Sequence, residues 1–82
     1  MPTVLRFAGL RVAIYPNDHR PAHVHVLGGG REAVFILHCP DGPPELRGSH
    51  RFVARELAAI VLELQRALPA LCAQWSDLHG YH

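Results

Sequence analysis

The sequence predicts an α+β fold: an antiparallel meander sheet of four to five strands, with one bent or two consecutive C-terminal helices covering one face. Between residues 3 and 47, short β-branched and aromatic runs alternate with glycine and proline turns. From about residue 53 the apolar residues recur at intervals of three and four, which is the helical period. We expect strands within roughly residues 3–47, a helical segment at roughly 50–79, and one domain over residues 1–82, since the chain is too short for two.

The first half of the chain predicts two hairpins and an edge strand. Runs at residues 4–7 and 10–15 flank Ala8 and Gly9, and the glycine supplies the positive φ of a tight turn. A Pro-Asn-Asp turn follows at residues 16–18. The runs at residues 23–27 and 32–37 flank three glycines and predict the second hairpin. A proline-rich turn then leads to a short edge strand at residues 45–47.

The second half of the chain predicts an amphipathic helical segment. Its apolar residues fall in one stripe, with Ser49 as the expected N-cap. Pro69 interrupts the stripe without shifting its phase, so the segment is either one bent helix or two helices with Pro69 in the first turn of the second. Leu62 lies on the polar side of the helix, which favours a buried contact with another chain, such as a homo-oligomer.

Composition limits the function classes. Eight arginines and no lysines oppose seven acidic residues, and the formal charge of +1 excludes the strongly basic field of a general nucleic-acid binder. Any RNA surface is therefore a local patch, for which the planar guanidinium suits phosphate. The longest apolar run is too short to span a membrane and no secretion signal is found. Cys39 and Cys72 form no recognised motif, so we expect a cytoplasmic protein with reduced thiols.

Strand alternation collects five polar or aromatic side chains on the sheet face turned away from the helices. If the valines of the third strand point to the helices, the histidines beside them point outward, and the same rule applies to the first two strands. An Arg/His-rich face with an aromatic residue is typical of an RNA-binding or RNA-cleaving surface. An ordinary solvated sheet face remains the alternative. The five residues are Arg6, Arg11, Tyr15, His23 and His25.

The two outward histidines support two kinds of chemistry. Residues two apart in a strand lie about 6 to 7 Å apart on one face, so both imidazoles can reach one Zn²⁺, with His19, Asp18 or His38 as further ligands. Alternatively, they act without metal as acid and base in a metal-independent endoribonuclease-like reaction. We expect no cofactor in that case. Two solvent-facing histidines without any metal are the third alternative.

The run from Asp18 to His25, Asp-His-Arg-Pro-Ala-His-Val-His, resembles the D-H-x-P-P-H-x-H mark of a family of small bacterial proteins, the domain of unknown function 4160 family. Ala22 replaces the second proline, but every polar member is present. The resemblance extends over nearly the whole chain. It includes the opening residues 1–7, the Gly-Gly-Arg-Glu-Ala-Val run at residues 29–34, and Trp75 in the final helix.

The resemblance implies a toxin-like member of a bacterial toxin–antitoxin pair, because such proteins are often encoded beside a small protein of the domain of unknown function 2442 family. That partner would be the antitoxin, and the target would be RNA or the translation machinery. The alternative is a non-catalytic protein-binding module, or a small zinc-binding protein, using the same face. The candidate catalytic residues are His23, His25, Asp18 and Tyr15; the candidate binding residues are Arg6, Arg11, Arg20 and His19; the candidate metal ligands are His23, His25 and His19.

Overall fold

The computed structural model describes residues 3–80. Five antiparallel strands lie side by side in chain order and two helices follow them, which confirms the predicted α+β meander. Met1 and Pro2, which open the run used in the resemblance, lie outside the described residues. The elements are β1 (Thr3–Phe7), β2 (Leu10–Ala13), β3 (His23–Gly28), β4 (Arg31–Ile36), β5 (Glu45–His50), α1 (Ala54–Arg66) and α2 (Leu68–His79).

The first hairpin turns at the predicted residues. Ala8 and Gly9 both have positive φ, 49° and 75°, as the two central residues of a type I′ turn require. Strand β2 ends at Ala13, two residues earlier than predicted, because Tyr15 already belongs to the following turn. There the backbone N–H of Asp18 donates to the carbonyl of Tyr15 at 3.0 Å.

The second hairpin closes through Gly29 and Gly30, which also have positive φ. Strand β5 confirms the predicted edge strand but extends to His50, and all six of its residues are exposed. Ser49 therefore lies in a strand, and its prediction as the N-cap was wrong. Helix α1 is capped at Val53 instead, whose backbone N–H donates to Glu56 Oε1 at 3.1 Å. The glutamate thus supplies its half of a capping box, the bond to the N-cap N–H, without a serine or threonine at the N-cap.

The helical segment divides into two helices at Ala67. Pro69 lies in the first turn of α2, where a residue without an N–H costs nothing, so the second of the two predicted arrangements is correct. Leu62 of α1 is 65% exposed, as its place on the polar side of the helix predicted.

The core lies between one face of the sheet and the two helices. Burial of apolar side chains from both layers is the main stabilising term. The largest buried side chains are Val12, Ile14, Val24, Val26, Phe35 and Leu37 from the strands and the segments beside them, and Ile60, Leu64, Leu68, Leu71 and Trp75 from the helices.

A disulfide joins Cys39 to Cys72, which corrects the expectation of reduced thiols. The residues lie 33 apart in the sequence, and only the packing of α2 beside the segment after β4 brings them together. Spacing alone could not reveal the pair, since it forms no local motif. The bond ties α2 to the chain just beyond the sheet.

Within residues 3–80, neither helix is long and apolar enough to cross a lipid bilayer.

Reduction of the disulfide is expected to destabilise the protein. A cross-link across 33 residues restricts the unfolded chain, and its loss should lower the free energy of unfolding by about 3 to 4 kcal/mol. Urea unfolding with and without a reducing agent measures the difference. The double variant Cys39→Ser, Cys72→Ala is the control and should not respond to the reducing agent. Equal stability of the oxidised and reduced wild type would contradict the prediction.

Candidate functional site

Asp18 is held by the turn that follows β2. Its side-chain Oδ2 accepts the backbone N–H of Tyr15 at 3.0 Å, while its own backbone N–H donates to the Tyr15 carbonyl. The sequence predicted such a turn because aspartate readily bonds a backbone group nearby. With Oδ2 engaged, Oδ1 is the oxygen that faces the histidines.

Both histidines of β3 direct Nε2 at that single oxygen. The distance to Asp18 Oδ1 is 3.3 Å from His25 and 3.5 Å from His23. The two rings meet edge to face, with centroids 5.3 Å apart. The side chains of all three residues are largely buried, at 14% exposure for Asp18, 8% for His23 and 17% for His25. We call these three residues the Asp-His-His cluster.

His23 does not point into solvent, which corrects the prediction that both imidazoles face away from the helices. Only 6% of the residue is exposed, and its ring lies 5.2 Å from that of Trp75 in α2. His23 is the first residue of β3. Alternation assigned the sheet face but could not show that a large helix side chain would reach the end of the strand.

The second nitrogen of each imidazole faces another oxygen. His23 Nδ1 donates to the carbonyl of Pro21 at 2.8 Å, which fixes the ring orientation. His25 Nδ1 is buried, makes no hydrogen bond among the described residues, and lies 3.7 Å from Glu32 Oε2. Sequence reasoning missed Glu32 and Trp75. Alternation along β4 could have indicated Glu32, whereas Trp75 was assigned to the core alone.

Tyr15 contacts the cluster, and Arg6 and Arg11 lie on the same face of the sheet as His25. The Tyr15 ring meets that of His25 edge to face, at 4.9 Å between centroids. Arg6 of β1 pairs with Arg11 of β2, and Arg11 pairs in turn with Leu27, two residues along β3 from His25. Paired residues share a face, so the exposed guanidinium groups lie on the same side of the sheet as His25.

Three other sequence candidates lie outside the cluster. His19 and Arg20 are exposed residues of the turn segment, and neither supplies an atom to the Asp-His-His cluster. The Nε2 atom of His38 lies 2.6 Å from Glu45 Oε1 of the edge strand β5, and His38 supplies no atom to the cluster. Among the described residues, the group whose ligand atoms could hold one ion is Asp18, His23 and His25, and His19 is not part of it.

The Asp18 carboxyl is held in its ionised form. Burial, the largest single effect, raises its pKa, but the hydrogen bond from Tyr15, the nearby imidazoles of His23 and His25 and the hydrogen bond to His25 together outweigh it. The net result is a pKa below the usual value. The cluster thus combines a carboxylate with two imidazoles, and the three ligand atoms lie within 4.8 Å of one another. Such a set can transfer protons or bind a metal ion.

The comparisons assign a family to this chain. Residues 9–76 match the model of the family described as Domain of unknown function (DUF4160). The chain belongs to the DUF4160 family. The matched residues include the whole Asp-His-His cluster together with Arg11, Tyr15 and Glu32. Neither the search of curated proteins nor the search of solved structures found a significant match.

Replacement of Asp18 is expected to destabilise this DUF4160 chain, and the size of the effect depends on whether the new side chain can still accept a hydrogen bond. Asp18→Asn keeps an oxygen that can accept the Tyr15 N–H, whereas Asp18→Ala leaves that donor unpaired and should cost about 1 to 3 kcal/mol more. Chemical denaturation of both variants in the presence of a chelator measures the difference. Equal stability of the two variants would show that this hydrogen bond contributes nothing.

The free energy of unfolding should be higher for wild type than for Asp18→Asn, and this difference should depend on pH. Because the folded-state pKa of Asp18 is lowered, the ionised carboxylate contributes stability above the unfolded-state pKa. That contribution is lost as the pH falls through the folded-state pKa. The difference in unfolding free energy should therefore shrink between about pH 5 and about pH 3. A difference that stays constant over this range would contradict the lowered pKa.

Proposed function

We propose that this protein is the toxin-like member of a bacterial toxin–antitoxin pair and that it cleaves RNA at the Asp-His-His cluster. The observation that carries the proposal is the position of Arg6 and Arg11 on the same sheet face as His25. Guanidinium groups grip phosphate, and they lie beside groups that can move a proton or hold a metal ion.

The geometry favours a strand of RNA lying along this face. Arg6 and Arg11 are exposed and directly opposed across β1 and β2, so they present two positive charges to a phosphate backbone. Tyr15, half-buried against His25, offers a ring on which a base can stack. A chain with a formal charge of only +1 needs such a local concentration of cations to attract RNA.

The roles within the cluster follow from exposure. His25 is the more open imidazole and borders the arginine face, so it is the group nearest to a bound phosphate. Asp18 orients it through Oδ1. His23 is buried beneath Trp75 and acts on substrate only through the other two members. Tyr15 positions His25 from its other side.

The partner in this proposal is a small antitoxin of the domain of unknown function 2442 type, as the family resemblance implies. It would neutralise the protein by covering the arginine face. Leu62, which the sequence analysis connected with a homo-oligomer, lies on α1 and is a separate surface.

Loss of the cluster should abolish the effect on RNA. Expression of wild type without a partner should arrest growth, and the purified protein should cleave a single-stranded RNA. Asp18→Asn and His25→Ala should lower the cleavage rate by about 100-fold or more, the usual contribution of a positioned proton-transfer group. The control is His38→Ala, an exposed histidine outside the cluster, which should cleave normally. Growth arrest and cleavage unimpaired in both cluster variants would overturn the proposal.

Arg11→Ala should weaken RNA binding, and the remaining affinity should depend less strongly on salt concentration. Removal of one phosphate contact should reduce the slope of log affinity against log salt by about 0.7 to 1. Arg66→Ala removes an exposed arginine from helix α1 and is the matched control. Fluorescence anisotropy with labelled RNA at several salt concentrations gives both slopes. Identical slopes for the two variants would separate Arg11 from RNA binding.

The exposed edge of the sheet favours a second function, that of a non-catalytic protein-binding module. Strand β5 is exposed along all six residues and has a neighbour on one side only, so its free edge can accept a strand from another protein. If the protein is such a module, then wild type, Asp18→Asn and His25→Ala should all bind the partner equally well. It would leave RNA intact.

A further inference from the structure

We propose that Asp18, His23 and His25 bind one divalent transition-metal ion, such as Zn²⁺ or Fe²⁺, through Asp18 Oδ1 and the two Nε2 atoms. The proposal concerns the cluster alone and requires no assumption about RNA. Metal binding can be measured on the purified chain without substrate, so the two proposals can fail separately.

The contact between His25 Nε2 and Asp18 Oδ1 is a long hydrogen bond, and its length also fits two ligands of a shared ion. A hydrogen bond between an imidazolium and a carboxylate is typically about 2.7 to 2.9 Å long. Here His25 Nε2 and His23 Nε2 stand 3.3 Å and 3.5 Å from Asp18 Oδ1. Ligands bound about 2.0 to 2.1 Å from a tetrahedral ion lie about 3.3 Å apart. The ligand atoms that the three residues offer all lie within 4.8 Å of one another, so a movement of the two rings toward each other would complete the same geometry.

The tautomer of His23 leaves a lone pair at the centre of the cluster. Its Nδ1 carries the proton donated to the Pro21 carbonyl at 2.8 Å, so the Nε2 of the neutral ring is an electron-pair donor. That nitrogen faces the ionised Asp18 oxygen at 3.5 Å, with both groups largely buried. These two donors attract each other only through a cation between them, either a proton on Nε2 or a metal ion. A metal ion has the further effect of binding the ligand atom that His25 offers to the same cluster.

The surroundings supply the outer support that metal-binding histidines require. A ligating imidazole usually donates its other N–H to a carbonyl or carboxylate, which orients the ring and makes it a stronger ligand. The Pro21 carbonyl plays this part for His23. Glu32 Oε2, 3.7 Å from the otherwise unpartnered Nδ1 of His25, is placed to do so for the second ring. The Asp18 carboxylate is itself fixed by the Tyr15 N–H.

The donor set indicates the class of ion. Two imidazoles and one carboxylate favour zinc, iron or cobalt, whereas Mg²⁺ and Ca²⁺ prefer sites made entirely of oxygen. Three protein ligands leave at least one position of the ion for water or substrate, as in catalytic rather than structural zinc sites. The disulfide withdraws both cysteine sulfurs from competition for the ion.

Calorimetric titration of the chelator-treated, oxidised protein with Zn²⁺ tests the proposal. Wild type should bind about one ion per chain, and Mg²⁺ should not compete. Asp18→Asn and His25→Ala should each weaken Zn²⁺ binding by more than about 100-fold, beyond the loss that removal of an outer-shell partner causes. His19→Ala, the matched exposed histidine next to Asp18, should bind as wild type does.

Titration of wild type with Co²⁺ provides a test that needs no variant. Co²⁺ in the site should give visible absorption bands and paramagnetically shifted proton signals from two histidine rings, assigned to His23 and His25. Zn²⁺ should displace it and abolish both signatures. This measurement decides the proposal if a cluster variant fails to fold.

Three results would overturn the proposal. The first is the absence of Zn²⁺ binding to folded wild type. The second is equal Zn²⁺ affinity in wild type, Asp18→Asn and His25→Ala, which would place the ion on surface histidines. The third is a Co²⁺ spectrum whose shifted signals belong to other histidines, such as His19 or His50.

Discussion

The hydrogen bond from the Tyr15 backbone N–H to Asp18 Oδ2 is the constraint on which the candidate site depends. It closes the turn after β2 and rotates the carboxylate so that its second oxygen meets both imidazoles of β3. A carboxylate on a long flexible loop could not be held within about 3.5 Å of two buried rings without a large loss of conformational entropy. One short turn therefore brings together residues from two separate segments.

Helix α2 links this site to the rest of the fold. Trp75 is fully buried and covers His23, while Cys72, three residues earlier, is bonded to Cys39 beyond β4. The Trp75 side chain, which limits access to His23, thus belongs to a helix that is held both by core packing and by the disulfide. Burial on this side and exposure on the arginine side give the two histidines different roles, since His23 is screened from large ligands and His25 borders the open face.

The proposed metal ion and the proposed action on RNA draw on the same arrangement. A divalent ion at the Asp-His-His cluster would lower the pKa of a bound water and polarise a phosphoryl oxygen. The arginines of β1 and β2 would hold the neighbouring phosphates, because the strand register places them on the same face. Membership of the DUF4160 family is shown by the match over residues 9–76, and it leaves both chemical proposals to experiment.

Much of the fold was predictable because local patterns encode it. Turn glycines marked both hairpins, and the change of period marked the helices. Pro69 limited the helical segment to two arrangements, of which the structure has the one with two helices. The errors lay at element ends, where Ser49 belongs to a strand and Val53 caps α1. Strand ends are set by hydrogen bonds to neighbouring strands, which periodicity does not report.

By itself the sequence determined the meander, the C-terminal helical segment and the presence of Asp18, His23 and His25 in one short run, because each follows from residue type and spacing. The structure decided that this segment forms two helices that divide at Ala67. Only the tertiary structure decided that Trp75 buries His23, that Glu32 faces His25, that His19 stands apart, and that Cys39 meets Cys72. The physical reason is the separation along the chain over which each interaction acts. Alternation and turn preference act between neighbours in the chain, whereas these contacts join residues that only packing of the helices on the sheet, and pairing between strands, brings together.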